Sequence, residues 1–439
     1  MRTIGNTPVD GEVRAVASGA LANGDTVVVN NDGTVSVVGG SDVSENIGSP
    51  NTFQTGVYRF APVYDSNSNK LVIVYTGGAP NYYATAVVGT ISGTSISFGT
   101  PVVINSDGSG NAFSGVFDPD TNKVIYNFKS ANVYRTVVGT VSGTSISFGS
   151  ATTLESQSSN GSTSAIAYDT VNNKVVSVYT NLNNPRIRAK VGTVSGTTIS
   201  YGSYVQVNSV SATQTANYVA AAFDTNSGNV AIFWQNSGNS NYGTSIAGTV
   251  SGTSITFGSN VIYSAAYTIR TKAVYDSVNS KVVVAWHTNT PSTLVKAIVG
   301  EVSGTGATAT ISYGTAVDID ASDYNSGSLA FEPNSGKIVA HYPDTGNSSY
   351  PVVVSGEVSG TSISFGTPSV IQTSAAIYGG STVDTSNNRV IIGYELSSDY
   401  TMKVVSYQPA YTSTNLTSEN YIGIAKGAAA DGTSAVVQT

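Results

Sequence analysis

One stretch, GTISGTSISFG at residues 89–99, constrains the chain more than any other. It returns as GTVSGTSISFG at 139–149, GTVSGTTISYG at 192–202 and GTVSGTSITFG at 248–258. Two later copies read GEVSGTGATATISYG at 300–314 and GEVSGTSISFG at 356–366. Their first glycines, Gly89, Gly139, Gly192, Gly248, Gly300 and Gly356, are 50 to 56 residues apart. Self-similarity at such a period means repeated supersecondary units that bury their cores against one another. This also reconciles 439 residues with the size limit on a single compact core.

A second element alternates with the first: an apolar strand, an acid, a short turn and another apolar strand. The copies include APVYDSNSNKLVIVY at 61–75 and AIAYDTVNNKVVSVY at 165–179. Seven pivots result: Asp65, Asp118, Asp169, Asp224, Asp276, Glu332 and Asp384. A carboxylate at the start of a tight turn accepts main-chain N–H bonds across it, so these seven acids read as structural turn residues. Each unit then holds four strands, a to d, with the acid in the a–b turn and a Ser-Gly pair such as Ser92-Gly93 in the c–d turn. In strand d, Ile96 and Phe98 share a face and Ser95 and Ser97 the other. One apolar face per sheet therefore has to meet a neighbouring sheet. Strand a is rich in small residues, as in AAAF at 220–223, which suits the crowded inside of a radial array.

Four antiparallel strands repeated seven times predict an all-β fold, a seven-bladed β-propeller of four-stranded blades. The seventh unit lacks the Ser-Gly-Thr-Ser-Ile-Ser-Phe-Gly hairpin and so has no outer strand of its own. Upstream of the first unit, Gly48-Ser49-Pro50 matches the Gly99-Thr100-Pro101 that follows a strand d. Residues 42–54 are thus expected to supply the missing strand and close the ring, removing its exposed edges. The flanks, 12–38 and 419–439, do not follow the repeat but carry strand patterns of their own. They are expected to pair into a small β module. The domains expected are 1–41 with 409–439 for that attachment module and 42–408 for the propeller inserted in it.

Composition narrows the function. Charged residues make up 10% of the chain and the net charge is −7. No Lys/Arg cluster marks a nucleic-acid footprint, and no apolar run is long enough to span a membrane as a helix. There is no cysteine, hence no disulfide and no thiolate chemistry. The first residues lack the apolar core of a secretory signal. No cofactor and no metal are called for.

ASGALANGDTVVVNNDGTVSVV (17–38), with NYIGIAKGAAADGTSAVV (420–437), resembles a small β module of tailed-phage structural proteins, especially of marine phages. The VVGTVSGTSISFGS repeat and its YDxxxNK partner look like propeller repeats of the same group. The resemblance implies a virion appendage or tail-fibre protein, localised to the virion, with other virion proteins as partners and a homo-oligomeric state. It implies no catalytic residues. The module continues further in such proteins, so the resemblance also implies chain beyond Thr439.

Candidate sites follow from what varies between repeats, because constancy among repeats reports scaffold. The b–c loops vary most, and variable loops on a rigid frame are where binding resides. They carry Tyr82, Tyr83, Tyr134, Arg186, Arg188, Tyr242, Tyr350 and Tyr400, residues suited to stacking on and hydrogen bonding to sugars or protein. The two histidines, His287 and His341, and the acids Asp318, Asp320 and Asp323 form weaker candidates, read as structural and as a solvated acidic loop. No pair of acids suits glycoside hydrolysis, and no SxDxGxTW stretch of the sialidase kind occurs. The expectation is a non-enzymatic virion structural protein whose propeller is an assembly scaffold and binds a host-surface glycan or protein. The alternative is a secreted or surface polysaccharide-active enzyme or lectin on the same fold.

Overall fold

The computed structural model describes residues 12–156, 163–181, 186–207, 216–288, 294–320, 326–416 and 420–438. Its contacts divide the chain into two compact units, residues 1–45 with 410–439, and residues 46–409.

The larger unit is a seven-bladed propeller. In blade 1, strand a is Tyr58–Asp65, b is Lys70–Thr76 and c is Tyr83–Ser92. Strand d comes in two pieces, Ser95–Phe98 and Val102–Ser109, both paired with c. The break falls at Gly99-Thr100-Pro101, where proline removes a ladder donor. Blades 2 to 6 repeat this plan from inner strands Asn111–Asp118, Ser164–Asp169, Ala216–Asp224, Val261–Asp276 and Ser328–Glu332. Val261–Asp276 runs without interruption from the outer edge of blade 4 into the inner strand of blade 5. Blade 7 has Ala376–Asp384, Arg389–Leu396 and Met402–Gln408, and its outer strand is supplied by Asn46–Ile47 and Asn51–Gln54. Each inner strand touches the next, and Ala376–Asp384 touches Tyr58–Asp65. The ring is closed.

Seven apolar layers lie between consecutive blades. The layer between blades 7 and 1 contains Leu71, Ile73, Ile96, Ile391, Met402 and Val404, with Phe53 of the closing strand packed on it. Phe53 meets Phe98 at 5.4 Å and Tyr75 at 5.5 Å between ring centroids. Strands b and c are buried on both faces, as in Leu71 to Thr76. The expectation of one apolar face per sheet is therefore too narrow. Every blade is sandwiched between two others, which is why strand b reads LVIVY without alternation.

The repeated stretch has a steric logic. The first glycine sits opposite the last aromatic of strand d, as Gly89↔Phe98, Gly139↔Phe148 and Gly192↔Tyr201. A Cβ on Gly248 would lie 2.5 Å from the Phe257 ring, so the aromatic lies flat on a bare backbone. The c–d turn glycines, Gly93 among them, hold φ near +60°, which L side chains rarely adopt. The acid turns behave alike. Asp65 Oδ1 accepts the main-chain N–H groups of Asn67 and Ser68, each at 3.0 Å, and Asp169 Oδ1 those of Val171 and Asn172. Asp118, Asp224, Asp276, Glu332 and Asp384 make the equivalent pair.

The smaller unit has a five-stranded sheet in the order Glu12–Val16, Ser434–Gln438, Tyr421–Ala425, Thr26–Val29, Val35–Val37. Its core is Ala17, Leu21, Val27, Val35, Ala425, Ala435 and Val437. Gly40–Val43 pairs with Tyr411–Thr414 in the same unit. Residues 42–45 thus belong to this module, and ring closure starts at Asn46.

Candidate functional site

The inner strands of the propeller line a central channel, and one of its ends is chemically distinct. At the start of strand a, four blades carry a non-glycine residue in the left-handed region: Arg59 (φ 43°), Ala112 (55°), Tyr218 (53°) and Arg270 (58°). Each coincides with a break in the a–b register, between Tyr58 and Phe60, Asn111 and Ser114, Asn217 and Ala220, and Ile269 and Lys272. These are β-bulges, which re-aim side chains at barrel and sheet rims. A bulky residue held there costs about 1–3 kcal/mol and needs a surrounding structure that enforces it.

The bulges line a mouth of about 390 Å³ with Arg59, Phe60, Phe113, Tyr218, Arg270, Lys272 and Tyr378. Three cations thus converge in a protein of net charge −7. Arg59 comes from blade 1, Arg270 and Lys272 from blade 5, on opposite sides of a seven-membered ring. Burial, and then the neighbouring Arg270 charge, push the Lys272 ammonium below its ordinary pKa. Below the mouth the channel is lined by small residues, including Ala61, Gly115, Ala220, Gly380 and Ser381. The opposite end is walled by Tyr64, Phe117, Tyr168, Phe223, Tyr275 and Phe331, one aromatic from each of six blades. At least some of these serve packing: the Tyr64 hydroxyl bonds Ser386 of blade 7 at 3.0 Å, and the Tyr275 hydroxyl accepts the Asn226 N–H of blade 4 at 3.2 Å.

Beside Arg59, at the joint of blades 7 and 1, three tyrosines meet. The Tyr58 ring lies 4.7 Å from that of Tyr400 and 5.9 Å from that of Tyr82, both tilted. Tyr400 is 40% exposed, and Tyr58 and Tyr82 are half-buried. Burial, then the Tyr82 and Tyr400 hydroxyls, hold the Tyr58 hydroxyl above its ordinary pKa, so it remains a neutral donor. Glu395 on strand b of blade 7 is fully buried, and its Oε2 accepts the Arg59 main-chain N–H at 3.3 Å. Its Oε1 has no hydrogen-bond partner among the described residues. Burial raises the carboxyl pKa to about 7, against the smaller lowering by Arg59.

Of the loop residues singled out in the sequence, Tyr82 and Tyr400 come together and the others do not. Tyr134 is fully buried, stacks near Tyr179 at 5.7 Å and donates to the Thr163 carbonyl. It is core, not loop surface. Arg186 donates to Gln206 at 2.6 Å, and Arg188 pairs with Glu155 and lies 4.1 Å over the Tyr204 ring. Tyr83, Tyr242 and Tyr350 begin strands c of blades 1, 4 and 6, half-buried and apart from the Tyr58 group. His341 is buried against Gly379 and near the Tyr394 ring, and burial pushes its pKa down to about 3, so it is neutral. His287 is also buried. Asp318 pairs with Lys296, and Asp320 accepts from the Tyr342 hydroxyl at 2.9 Å. Asp323 lies outside the described residues. Among the described residues no group of three metal-ligating side chains forms. Sequence reasoning missed Arg59, Arg270, Lys272, Tyr58 and Glu395 because it looked at loops, whereas these sit at the ends of regular strands. A signal was present: Ile269-Arg270-Thr271-Lys272 puts two of only 19 cations at the start of an inner strand.

No family model matches the chain, and no curated protein does. Solved structures do resemble it. AofleA from Arthrobotrys oligospora is 10% identical, with a TM-score of 0.46, over 82% of this chain and 97% of its own. The NanB sialidase from Streptococcus pneumoniae is 12% identical, with a TM-score of 0.44, over 82% of this chain and 69% of its own. No residue role passes to this chain at such distances. The expected virion structural function is corrected here. The structures that resemble the chain are AofleA and a sialidase, and the phage role has no support among them.

Proposed function

We propose that the propeller binds carbohydrate at the channel mouth, with Tyr58, Tyr82 and Tyr400 as the surface on which a sugar ring lies. The observation that carries this reading is the clustering of three partly exposed tyrosines, two of them from variable loops of different blades and Tyr58 next in the chain to Arg59 of the mouth. Tyrosine rings offer an apolar face for the C–H side of a pyranose and a hydroxyl for its edge, at a cost of few rotatable bonds. Binding rather than hydrolysis is favoured by the wall of the mouth, where no carboxylate occurs among the described residues. Most glycosidases use two, about 5–9.5 Å apart across the scissile bond.

Calorimetric titration with the best ligand from a glycan array tests the proposal. Tyr58→Ala and Tyr400→Ala are each expected to weaken binding about tenfold or more, corresponding to ~1.4 kcal/mol. Tyr350→Ala, on blade 6 and outside the cluster, is expected to leave it unchanged. Equal loss in all three, or release of reducing sugar during the titration, would sink the binding-only reading.

A further inference from the structure

The mouth holds more positive charge than a site for neutral sugars requires. Arg59 approaches from one side of the ring and Arg270 with Lys272 from the other, and both arginines stand on bulges with left-handed backbone. The chain as a whole is acidic, so this is a local reversal of sign rather than a general surface property. Its cavity walls exclude water in part, which strengthens the field there. Arg270 and Lys272 are two residues apart on one strand, and burial, then the Arg270 charge, lowers the Lys272 pKa. The other end of the channel offers nothing comparable, since among its described residues the wall has no cation.

We infer that the ligand is an anionic sugar, one bearing a carboxylate or a sulfate, whose charged group sits in the mouth between Arg59 and the Arg270–Lys272 pair. Its ring rests on the Tyr58, Tyr82 and Tyr400 cluster beside Arg59. This rests on the carbohydrate reading above and adds the ligand class to it. Guanidinium groups suit either anion, because their paired N–H donors match two oxygens of a carboxylate or a sulfate.

The test is an array of matched neutral, uronate-bearing and sulfated oligosaccharides, read with the full chain and with Arg59→Gln, Arg270→Gln and Arg59→Lys. The expected result is at least tenfold stronger binding to one anionic set than to its neutral counterparts. That preference falls with added salt, is lost in both glutamine variants and is largely kept in Arg59→Lys. Which of the two sets responds identifies the anion. Equal binding to neutral and anionic members, unmoved by the glutamine substitutions, overturns the anion inference and leaves the carbohydrate reading standing. No binding to any member overturns both. Melting curves of the variants, expected to match the parent, separate lost binding from lost fold, and Tyr58→Ala is expected to weaken neutral and anionic members alike.

Discussion

Glu395 is the residue whose protonation matters most to the mouth. Its ordinary pKa of 4.5 is raised to about 7 in the folded chain, chiefly by burial. The folded state therefore favours the neutral carboxyl, while the unfolded chain ionises at the ordinary value. Below pH 4.5 the group costs nothing. Between about 4.5 and 7 its cost to stability grows, and above 7 it is constant. The full shift corresponds to about 3 kcal/mol. Glu395→Gln is expected to match the parent at pH 4 and to exceed it by that amount at pH 8, measured by denaturant unfolding at both values. Parallel pH curves for the two proteins would refute this. Ligand binding carries the same signature. Ionised Glu395 places a negative charge beside Arg59, so affinity for an anion is expected to fall as pH rises through 7 in the parent but not in the glutamine variant. The Tyr58 hydroxyl, held above its ordinary pKa, stays neutral over this range.

At the scale of the element, the blade hairpin depends on backbone against backbone. A Cβ on Gly149, at the break in strand d of blade 2, would lie 1.9 Å from the Thr197 carbonyl oxygen in the c–d turn of blade 3. Gly99, Gly202 and Gly314 stand the same way against Thr144, Thr253 and Thr361. Gly366 is the exception, with nothing closer than 3.8 Å, because blade 7 has no c–d turn to receive it. Gly149→Ala is thus expected to destabilise by about 1–3 kcal/mol, as overpacking does. Gly366→Ala is expected to be near neutral. Denaturant midpoints with equal slopes would show this, and equal losses at both positions would contradict the packing account. Such relations were legible in the repeated stretch, because a glycine or an aromatic that recurs at one place in six units reports its local geometry. The a–b turns were legible for the same reason: the fourth residue after each acid, such as Asn69, Asn122, Asn173 and Gly228, holds positive φ. The mouth was not legible. Arg59 and Arg270 face the channel because of bulges, and a bulge of one residue leaves no mark in a two-residue alternation. Tyr400 lies more than three hundred residues from Tyr58 and Tyr82 and joins them only where the ring closes.

At the scale of the whole molecule, that joint is the one place where the repeat alone cannot hold the ring. Every other blade takes all its strands from consecutive chain. Blade 7 takes its outer strand from Asn46–Ile47 and Asn51–Gln54, and the substitution is faithful in detail. Gly48 meets the c–d turn of blade 1 at Thr94, as Gly99 meets Thr144, and Phe53 reaches the aromatic layer around Tyr75 and Phe98. Because the closing strand and blade 7 are far apart in sequence, closure ties the first and last parts of the ring into one cooperative unit, unlike an open array that frays from its ends. Removing the strand leaves Met402–Gln408 as an unpaired edge able to recruit another chain. It also uncovers the apolar layer next to the Tyr58, Tyr82 and Tyr400 cluster. A chain cut to 46–409 is therefore expected to unfold in one transition and to remain monodisperse. A chain cut to 55–409 is expected to unfold earlier, in a broadened transition, and to associate with rising concentration. Calorimetry and light scattering on the two distinguish them. If the shorter chain matches the longer in both, the N-terminal strand covers the ring without closing it.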